Sequence, residues 1–281
     1  MGLFRLQPVS FGACAVVTGA GSGLGRAFAL ELARRGAKVV VSDMNLASAT
    51  QTVDLIHKRS RQAQATAIGC DVSQFEEVQA LAQKSTEWFG RAPTLVINNA
   101  GVGVGGRFSE TSIEDWRWTL GINFSGVLHG CHCFVPLMKT AGGGAIINVA
   151  SAAAFTSAPE MSAYNVSKSA VLALSETLSS ELRRDNIRIN VLCPTLVPTN
   201  IIKNGKLPGR YAKLADFMVT KLALTTPEKV VRLTLERTDK YKLYTLPQID
   251  ARLLWRIKRL TPAGYVGTFA QAYRLSPRPK S

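Results

Sequence analysis

Short apolar segments rich in β-branched residues alternate along the chain with segments whose apolar residues recur at helical spacing. A strand buried on both faces of a parallel sheet reads as a continuous apolar run, whereas a helix that covers such a sheet shows one apolar face. The predicted strands are residues 13–17, 38–42, 65–69, 95–97, 145–149, 187–192 and, as a seventh, 242–246. The predicted helices include residues 24–35, 47–59, 75–89, 122–138 and 163–183. This alternation predicts a doubly wound α/β fold, with a parallel β-sheet of six or seven strands flanked by helices.

The length and the linkers of the chain indicate its organisation. The 281 residues contain neither an internal repeat nor a long linker, so we predict one domain over residues 1–248 and a basic extension over residues 249–281. Apolar runs stay shorter than the roughly 18 residues that a membrane-spanning helix needs. Residues 1–10 also lack the apolar core of a secretory signal. We therefore expect a cytoplasmic protein.

The net charge of +15 is unevenly distributed. Residues 1–200 hold 17 Lys and Arg against 14 Asp and Glu, whereas residues 201–281 hold 17 against 5. Nucleic acid, an anionic membrane surface or an acidic substrate could each bind so basic a segment, and charge by itself does not choose among them. No nucleic-acid partner is predicted, because the segment has neither interleaved stacking aromatics nor a nucleic-acid-binding motif.

The five cysteines are odd in number and spread through apolar segments, which favours reduced thiols over a disulfide framework. Cys131 and Cys133 flank His132, an arrangement that raises the question of a metal site. Residues two apart on a helix point away from each other, so core packing is the favoured interpretation. No metal site is predicted.

A glycine-rich stretch, TGAGSGLG at residues 18–25, follows the first predicted strand and opens the first predicted helix. Gly19, Gly23 and Gly25 allow a sharp turn, close approach of a pyrophosphate and close packing of the helix on the sheet. The N-terminus of the helix favours the negative charge of the phosphates. In this position the stretch predicts a dinucleotide-binding site.

Asp43 ends the second predicted strand and points to the identity of the nucleotide. A carboxylate there can accept hydrogen bonds from a ribose 2′-hydroxyl and would repel a 2′-phosphate. Met44 beside it supplies no compensating cation, and we expect Arg26 to be solvated or near phosphate. NAD(H) is therefore favoured over NADP(H) as the cofactor.

The spacing T-G-x-x-x-G-x-G resembles that of the short-chain dehydrogenase/reductase (SDR) family, and further motifs of that family follow in order. They are CDV at residues 70–72, NNAG at 98–101, NFSG at 123–126, NVAS at 148–151 and YNVSK at 164–168. The resemblance covers residues 10–200 and fades beyond them. It implies a Rossmann-like catalytic domain and NAD(P)-dependent oxidoreductase activity.

The resemblance implies catalytic roles for Asn123, Ser151, Tyr164 and Lys168. Tyr164 is implied to be the general acid/base of hydride transfer between an alcohol and its ketone or aldehyde, and Ser151 to polarise the substrate oxygen. Lys168 shares a helix face with Tyr164 and is suited to stabilise a phenolate whose pKa is otherwise near 10. Lys168 is also implied to contact the nicotinamide ribose, and Asn123 to hold a water-mediated proton relay. A non-catalytic nucleotide-binding or scaffold protein of the same fold is the alternative, and the intact catalytic set argues against it.

The cofactor is expected along the carboxyl ends of the strands, where doubly wound sheets bind their ligands. The residues expected to contact it are Gly19, Ser22, Gly23, Leu24, Gly25, Asp43, Asp71, Val72, Asn99, Ala100, Gly101, Tyr164, Lys168, Pro194, Val197 and Thr199. In CPTLVPT, residues 193–199, Thr195 stands where the family has a glycine. This departure leaves the conformation of that loop open.

The substrate is expected to be a small hydrophobic alcohol or carbonyl compound. Residues 200–225 fall where the family keeps the segment that covers the substrate. Apolar residues of this segment share one helical face: Leu207, Tyr211, Leu214, Phe217, Met218 and Leu222. Core packing of that face is the alternative. Small residues after Ser151 and a glycine-rich stretch after the fourth strand offer few groups for binding a sugar.

Residues 250–260, DARLLWRIKRL, predict an amphipathic helix in the basic extension. Its apolar side carries Leu253, Leu254, Ile257 and Leu260, its other side carries Arg252, Arg256 and Arg259, and Trp255 lies near the boundary. Such a helix could lie on an anionic membrane surface as a peripheral contact. Packing on the domain, or a subunit contact, is the favoured alternative. The resemblance implies a homodimer or homotetramer.

Overall fold

The computed structural model describes residues 8–199, 201, 205–208 and 225–275. Within these ranges, strands and helices alternate as the hydrophobic pattern predicts. The strands are β1 (Cys14–Val17), β2 (Lys38–Asp43), β3 (Ala65–Gly69), β4 (Leu95–Asn98), β5 (Gly144–Val149), β6 (Ile187–Leu192) and β7 (Tyr244–Thr245). The helices are α1 (Gly23–Arg34), α2 (Leu46–Arg59), α3 (Phe75–Phe89), α4 (Ile113–Leu120), α5 (Gly126–Thr140), α6 (Ala153–Thr156), α7 (Ser162–Glu181), α8 (Pro227–Asp239), α9 (Ile249–Leu260) and α10 (Pro262–Leu275).

The seven strands of the described residues form one parallel sheet in the order β3-β2-β1-β4-β5-β6-β7. The chain therefore winds outward in both directions from β1, where Val16 is in register with Val40 of β2 and Val96 of β4. At such a switch point the loops that follow the two central strands leave toward opposite faces and open a crevice between them. The predicted doubly wound, Rossmann-like fold is confirmed.

Each face of the sheet carries its own hydrophobic core, because successive strand residues point to opposite sides. On one face Val16 packs with residues of α3, α5 and α7, among them Leu81, Phe134, Met138 and Val171. On the other face Ala15 and Val17 pack with residues of α1, α2 and α8, among them Phe28, Leu32, Ile56, Val230 and Leu235. The loops at the carboxyl edge of the sheet are thus held between two packed helical layers.

Two helices that hydrophobic spacing did not predict begin at capping residues. Thr226 Oγ1 accepts a hydrogen bond from Lys229 N at 3.4 Å, and Pro227 occupies the first position of α8. At the start of α4, Ser112 Oγ accepts from Asp115 N at 3.0 Å. Such caps satisfy backbone N–H groups that the first helical turn leaves without a partner. Capping residues therefore signal these helices more clearly than their apolar periodicity does.

The helix predicted over residues 122–138 begins earlier and contains an irregularity. Helices α4 and α5 follow one another without a break in helical backbone, joined by a π turn at Gly121–Ser125. Single π turns inside α-helices are frequent at functional sites. Asn123 lies at the centre of this turn.

The C-terminal part departs most from the sequence-based expectations. Strand β7 is shorter than residues 242–246. Leu207 of the expected substrate-covering face is described, whereas Tyr211, Leu214, Phe217, Met218 and Leu222 lie outside the described residues. Within the described ranges no helix has the length and apolar character needed to cross a membrane. The division of the chain at residue 248 stays a prediction.

Candidate active site

A cleft of about 1170 Å³ opens at the carboxyl edge of the sheet. The predicted site residues line it, apart from Gly25 and Asn123, which are not among its lining residues. One end of the cleft holds the glycine loop (residues 18–25), Asp43 and Asp71; the other holds Ser151, Tyr164 and Lys168. The fold therefore brings together residues that are up to 180 positions apart in the sequence, between Gly19 and Thr199.

The glycine loop fits a phosphate group because side chains are sterically excluded from it. Gly19 has a φ of +61°, and a Cβ there would lie 2.7 Å from Ala100 Cα. A Cβ on Gly25 would collide with the carbonyl oxygen of Gly19, so only glycine fits at this position, which is not part of the cleft lining. Helix α1 begins at Gly23, and its N-cap residue Ser22 makes no side-chain capping bond. The loop thus presents backbone N–H groups and a helix N-terminus to the cleft, a combination suited to a pyrophosphate.

Asn99 fastens the glycine loop to the end of β4. Its Nδ2 donates to the carbonyl oxygens of Thr18 at 2.8 Å and Gly19 at 3.1 Å. Its backbone N–H donates to Thr18 Oγ1 at 3.0 Å. Asn99, expected from its motif to lie along the cofactor, lines the cleft. Its side chain bonds the protein backbone and thereby fixes the shape of the glycine loop.

Asp43 lies beside the glycine loop at the end of β2. Its Oδ2 accepts from Gly21 N at 2.9 Å and its Oδ1 from Asn45 N at 3.0 Å. Each carboxylate oxygen has a second lone pair, so a sugar hydroxyl can still bind there. Arg26, expected to be solvated or near phosphate, is engaged by the protein: it donates to Thr52 Oγ1 at 3.0 Å and to the carbonyl of Gly21.

Asp71 and Val72, in the segment after β3, contact residues that were not predicted as site residues. Asp71 Oδ1 accepts from Ser73 N at 2.9 Å. The Nδ1–H of His129 donates to the carbonyl of Val72 at 2.9 Å, since a carbonyl can only accept. A Cβ on Gly126 would lie 2.6 Å from Val72 Cγ2, so α5 requires a glycine where it passes Val72. In the sequence, Gly126 is recognisable only as the last residue of the NFSG motif.

Asn123 is fully buried and uses its amide to hold the loop after β4. Its Oδ1 accepts from Val102 N at 2.8 Å, and its Nδ2 donates to Val102 O at 3.0 Å and to Ser167 Oγ at 3.2 Å. These bonds connect the π turn to that loop and to α7. The proton-relay role implied by resemblance stays a prediction.

Ser151, Tyr164 and Lys168 meet at the other end of the cleft. Ser151 follows β5, and its Oγ accepts from Ala153 N at 3.2 Å and donates to Pro194 O at 3.4 Å. Tyr164 and Lys168 lie one turn apart on α7, as their spacing predicts. Lys168 Nζ donates to Val149 O at 3.0 Å and lies 5.8 Å from the centroid of the Tyr164 ring.

Burial dominates the electrostatics of this end. It raises the pKa of the Tyr164 phenol, and a hydrogen bond with Ser151 lowers it. It lowers the pKa of Lys168 to about 8, and it raises the pKa of the neighbouring Cys193 thiol to about 12. The Lys168 cation was expected to lower the pKa of Tyr164, but desolvation by burial has the largest effect on that pKa and raises it. Tyr164 is therefore a neutral phenol, the form that can donate a proton.

The loop after β6, residues 194–199, contributes five residues to the lining of the cleft. Thr195 does not adopt the left-handed backbone conformation, so the loop forms without the glycine expected at this position. Thr199 lies against the start of α1, since a Cβ on Gly23 would be 3.2 Å from Thr199 Cβ. Pro194 and Val197 also line the cleft.

The mouth of the cleft beside Tyr164 is mainly apolar. Its lining there includes Val104, Trp118, Ala152, Ala153, Met161, Ile201 and Leu207. Arg117 and Thr156 add polar groups. Within the described residues there is no group of three His, Cys, Asp or Glu side chains placed to hold a metal ion. All five cysteines are unpaired, and Cys131 lies buried beside Asn98 and Asn148.

Comparison with known proteins agrees with this geometry. Residues 13–207 match the family model for short chain dehydrogenase. The chain is 34% identical over 257 residues to the probable oxidoreductase EphD of Mycobacterium tuberculosis, covering 88% of this chain and 43% of that protein. It is 38% identical over 189 residues to cyclohexanol dehydrogenase of an Acinetobacter species, covering 67% of this chain and 74% of that protein. The chain therefore spans less than half the length of EphD.

A solved structure extends the comparison to almost the whole chain. The crystal structure of a short chain dehydrogenase/reductase from Burkholderia phymatum in complex with NAD matches with a TM-score of 0.83 and 34% identity, covering 97% of this chain and 99% of that chain. The residues matched by the family model include the glycine loop, Ser151, Tyr164 and Lys168. The chain belongs to the short-chain dehydrogenase family of oxidoreductases.

Proposed function

We propose that the protein is an NAD(H)-dependent oxidoreductase that interconverts a hydrophobic alcohol and its ketone or aldehyde. The observation that carries this proposal is the position of Ser151, Tyr164 and Lys168. They lie in one cleft, between a glycine loop suited to pyrophosphate and an apolar mouth suited to a substrate. The neutral phenol of Tyr164 stands where a substrate oxygen would enter.

The proposed division of labour follows from the chemistry of each group. A bound nicotinamide supplies or accepts the hydride at the substrate carbon. During reduction, Tyr164 donates its phenolic proton to the carbonyl oxygen while Ser151 donates a hydrogen bond to the same oxygen. Oxidation requires the phenolate form of Tyr164: the phenol first loses its proton to solvent, and the phenolate then takes the alcohol proton. Lys168 lies close enough to stabilise the phenolate formed in reduction, and Asn123 holds the loop along which the nicotinamide half would lie.

We propose NAD(H) rather than NADP(H) as the natural cofactor. The Asp43 carboxylate would lie beside the adenosine ribose, where it favours a 2′-hydroxyl over a 2′-phosphate. Met44, next to it, is 74% exposed and adds no positive charge. The Burkholderia phymatum structure was solved with NAD, which supports the same choice.

The proposed substrate class rests on the apolar mouth of the cleft. The side chains of Val104, Met161, Ile201 and Leu207 offer no hydrogen-bonding groups to a polyhydroxylated substrate. The similarity to a protein named cyclohexanol dehydrogenase agrees with an apolar secondary alcohol. Steroids, retinoids, fatty alcohols and alicyclic alcohols are the compounds to test.

The decisive experiment is a screen of the purified protein with NAD⁺ and NADP⁺ against those alcohols, following absorbance of the reduced nicotinamide. We expect turnover with NAD⁺ and at least one apolar alcohol, and none with sugar alcohols. Tight NADH binding without turnover of any alcohol or carbonyl compound would favour the non-catalytic alternative. Absence of nucleotide binding would overturn both.

We further propose that the exposed side of α9 contacts an anionic membrane surface from the cytoplasm. Leu254 and Trp255, expected on or near the membrane side, instead pack on the protein core. Ile249, Leu253 and Leu260 are 73%, 56% and 81% exposed, and Ile257 lies between them on the same stripe. The exposed arginines Arg252 and Arg256 flank this stripe and would face anionic headgroups. Arg259, expected on the same side, instead lies 4.0 Å from the centroid of the Trp255 ring and 3.7 Å from Glu176.

We also propose a homodimer or homotetramer, formed through the long helices α5 and α7. Leu128 on α5 and Val166 on α7 are 40% and 47% exposed, and a partner subunit could bury them. Light scattering coupled to size exclusion should give a mass of two or four chains. A monomeric mass at micromolar concentration would contradict this assembly.

A further inference from the structure

The N-terminal end of α9, with its N-cap residue Gln248, is bonded directly to the loop after β6, residues 194–199. The side chain of Gln248 uses both ends of its amide on consecutive residues of this loop. Its Oε1 accepts from Thr195 N at 3.2 Å, and its Nε2 donates to Leu196 O at 3.3 Å. Gln248 is only 4% exposed. Two backbone groups of a cleft-lining loop are therefore paired with one buried side chain far away in the sequence.

Asp250 provides a second attachment. Its Oδ1 accepts from Thr195 Oγ1 at 3.2 Å and from Ala251 N at 2.8 Å, in the first turn of α9. Thr195 stands where the resemblance expects a glycine, which would have no hydroxyl to donate. The residue that departs from the family pattern thus supplies one of the three bonds between the loop and the N-terminal end of α9.

Helix α9 gives these attachments a rigid base. Ala251 is fully buried. Trp255 packs against Phe155 and Tyr244, with ring centroids 4.9 and 5.1 Å apart. These contacts involve neither Gln248 nor Asp250, so α9 can hold its place while it positions the loop. Side chains that orient a binding loop work best when packing fixes their own position.

We propose that Gln248 and Asp250 are positioning residues that hold the loop after β6 in the conformation that binds the nicotinamide half of the dinucleotide. The inference rests on the proposed function, because it assumes that NAD(H) occupies the cleft. Thr195, Leu196, Val197 and Thr199 line the cleft. A loop released from Gln248 and Asp250 would sample other conformations, and each binding event would then require it to be ordered again.

The test compares two ligands that differ only at the nicotinamide. Isothermal titration calorimetry gives the Kd of NADH and of ADP-ribose, which lacks the nicotinamide ring, for the parent and for Gln248→Met. Methionine matches the length of glutamine without its two bonds. We expect the Kd of NADH to rise roughly tenfold, as the loss of two buried hydrogen bonds suggests, and that of ADP-ribose to change by less than about twofold.

A second pair of variants keeps the test informative if Gln248→Met folds poorly. Thr195→Val removes the hydroxyl that donates to Asp250, and Thr195→Ser retains it. We expect Thr195→Val to weaken NADH binding about threefold and Thr195→Ser to restore the parental Kd. A lowered melting temperature of Gln248→Met and Thr195→Val, with parental Kd values for NADH, would indicate a merely structural role. That result would overturn the proposal.

The outcomes separate this inference from the proposed function. A parent protein that binds neither NADH nor ADP-ribose would overturn the proposed function itself. A parent that binds both, with Gln248→Met losing affinity equally for the two ligands or for neither, would overturn only the positioning role.

Discussion

Lys168 Nζ lies 5.8 Å from the centroid of the Tyr164 ring and donates its hydrogen bond to the carbonyl of Val149 rather than to the phenol. Both side chains are buried. In the proposed mechanism the lysine stabilises negative charge on Tyr164 by proximity, and the bond to the end of β5 fixes its ammonium. The proposed proton donor and the proposed cation therefore belong to separate side chains, which can be replaced one at a time.

Replacing Tyr164 by phenylalanine removes the proposed proton donor and leaves the ring. We expect kcat to fall by about 10³-fold, in the range of general acid/base catalysis. The Kd of NADH, measured by fluorescence titration, should stay within about twofold of the parent, because the cofactor contacts elsewhere in the cleft are unchanged. A variant with near-parental kcat on the best substrate would show that the proton comes from another group.

Lys168 should make stability depend on pH in a definite direction. Burial lowers its pKa in the folded protein to about 8, against 10.5 for an exposed lysine. Below about pH 8 both states hold the proton, and the cost of the buried charge is fully present. Between about 8 and 10.5 only the unfolded chain holds it, so this contribution to the parent's stability rises with pH.

The matching variant is Lys168→Met, which keeps the side-chain length without the charge. At neutral pH we expect its free energy of unfolding to exceed that of the parent by roughly 2 kcal/mol, after loss of the bond to Val149 offsets part of the gain. Urea unfolding at a series of pH values should show this difference shrinking as pH approaches 10.5. A difference that stays constant over that range would contradict the assigned pKa. Turnover by the variant should be lost throughout.

Asp43→Asn tests the cofactor preference with little change in shape. The amide oxygen can still accept from Gly21 N, while the negative charge and the bond from Asn45 N are lost. We expect the ratio of Kd values, NADPH over NADH, to fall about tenfold, since repulsion of the 2′-phosphate is removed. Fluorescence titration with both nucleotides measures the ratio. Tighter binding of NADPH than NADH by the parent would refute the proposed preference.

Co-sedimentation with vesicles tests the membrane proposal for α9. The double variant Leu253→Gln/Ile257→Gln should reduce the fraction bound to phosphatidylserine-containing vesicles about fivefold, because both side chains would leave water on binding. Ile113→Gln is a control, as Ile113 is an apolar residue on α4 that is 61% exposed, against 56% for Leu253 and 39% for Ile257. Binding should be weak to vesicles of phosphatidylcholine alone. If the parent does not sediment with anionic vesicles, the stripe serves a protein contact instead.

The sequence predicted the sheet well because five of its strands, β1, β2, β4, β5 and β6, are largely buried on both faces. Residues 187–192 coincide with β6, and the other five principal strands agree within one residue at either end. The shared helix face of Tyr164 and Lys168, the proposed catalytic pair on α7, could also be predicted, because residues four apart on a helix are neighbours. Local rules of this kind need no knowledge of the partners across the fold.

The features that escaped prediction depend on partners distant in sequence. Trp255 was expected near a membrane boundary, but Phe155 and Tyr244 form an aromatic site that draws it inward. Helical periodicity shows that α9 has apolar residues on more than one side. It does not show which of these sides packs against the rest of the protein. The effect of burial on Tyr164, and the bonds of Gln248, likewise follow only from the packed structure.

The π turn at Gly121–Ser125 lies between α4, which contributes Arg117 and Trp118 to the lining of the cleft, and α5, which packs on the sheet. A π turn accommodates one residue more than an α turn, so deleting one residue here would leave a regular α-helix and would hardly change the direction in which α4 presents Trp118. The deletion would instead displace Asn123, at the centre of the turn, from Val102 and Ser167. The extra backbone residue therefore decides where this amide points, while the wall of the substrate mouth keeps its orientation.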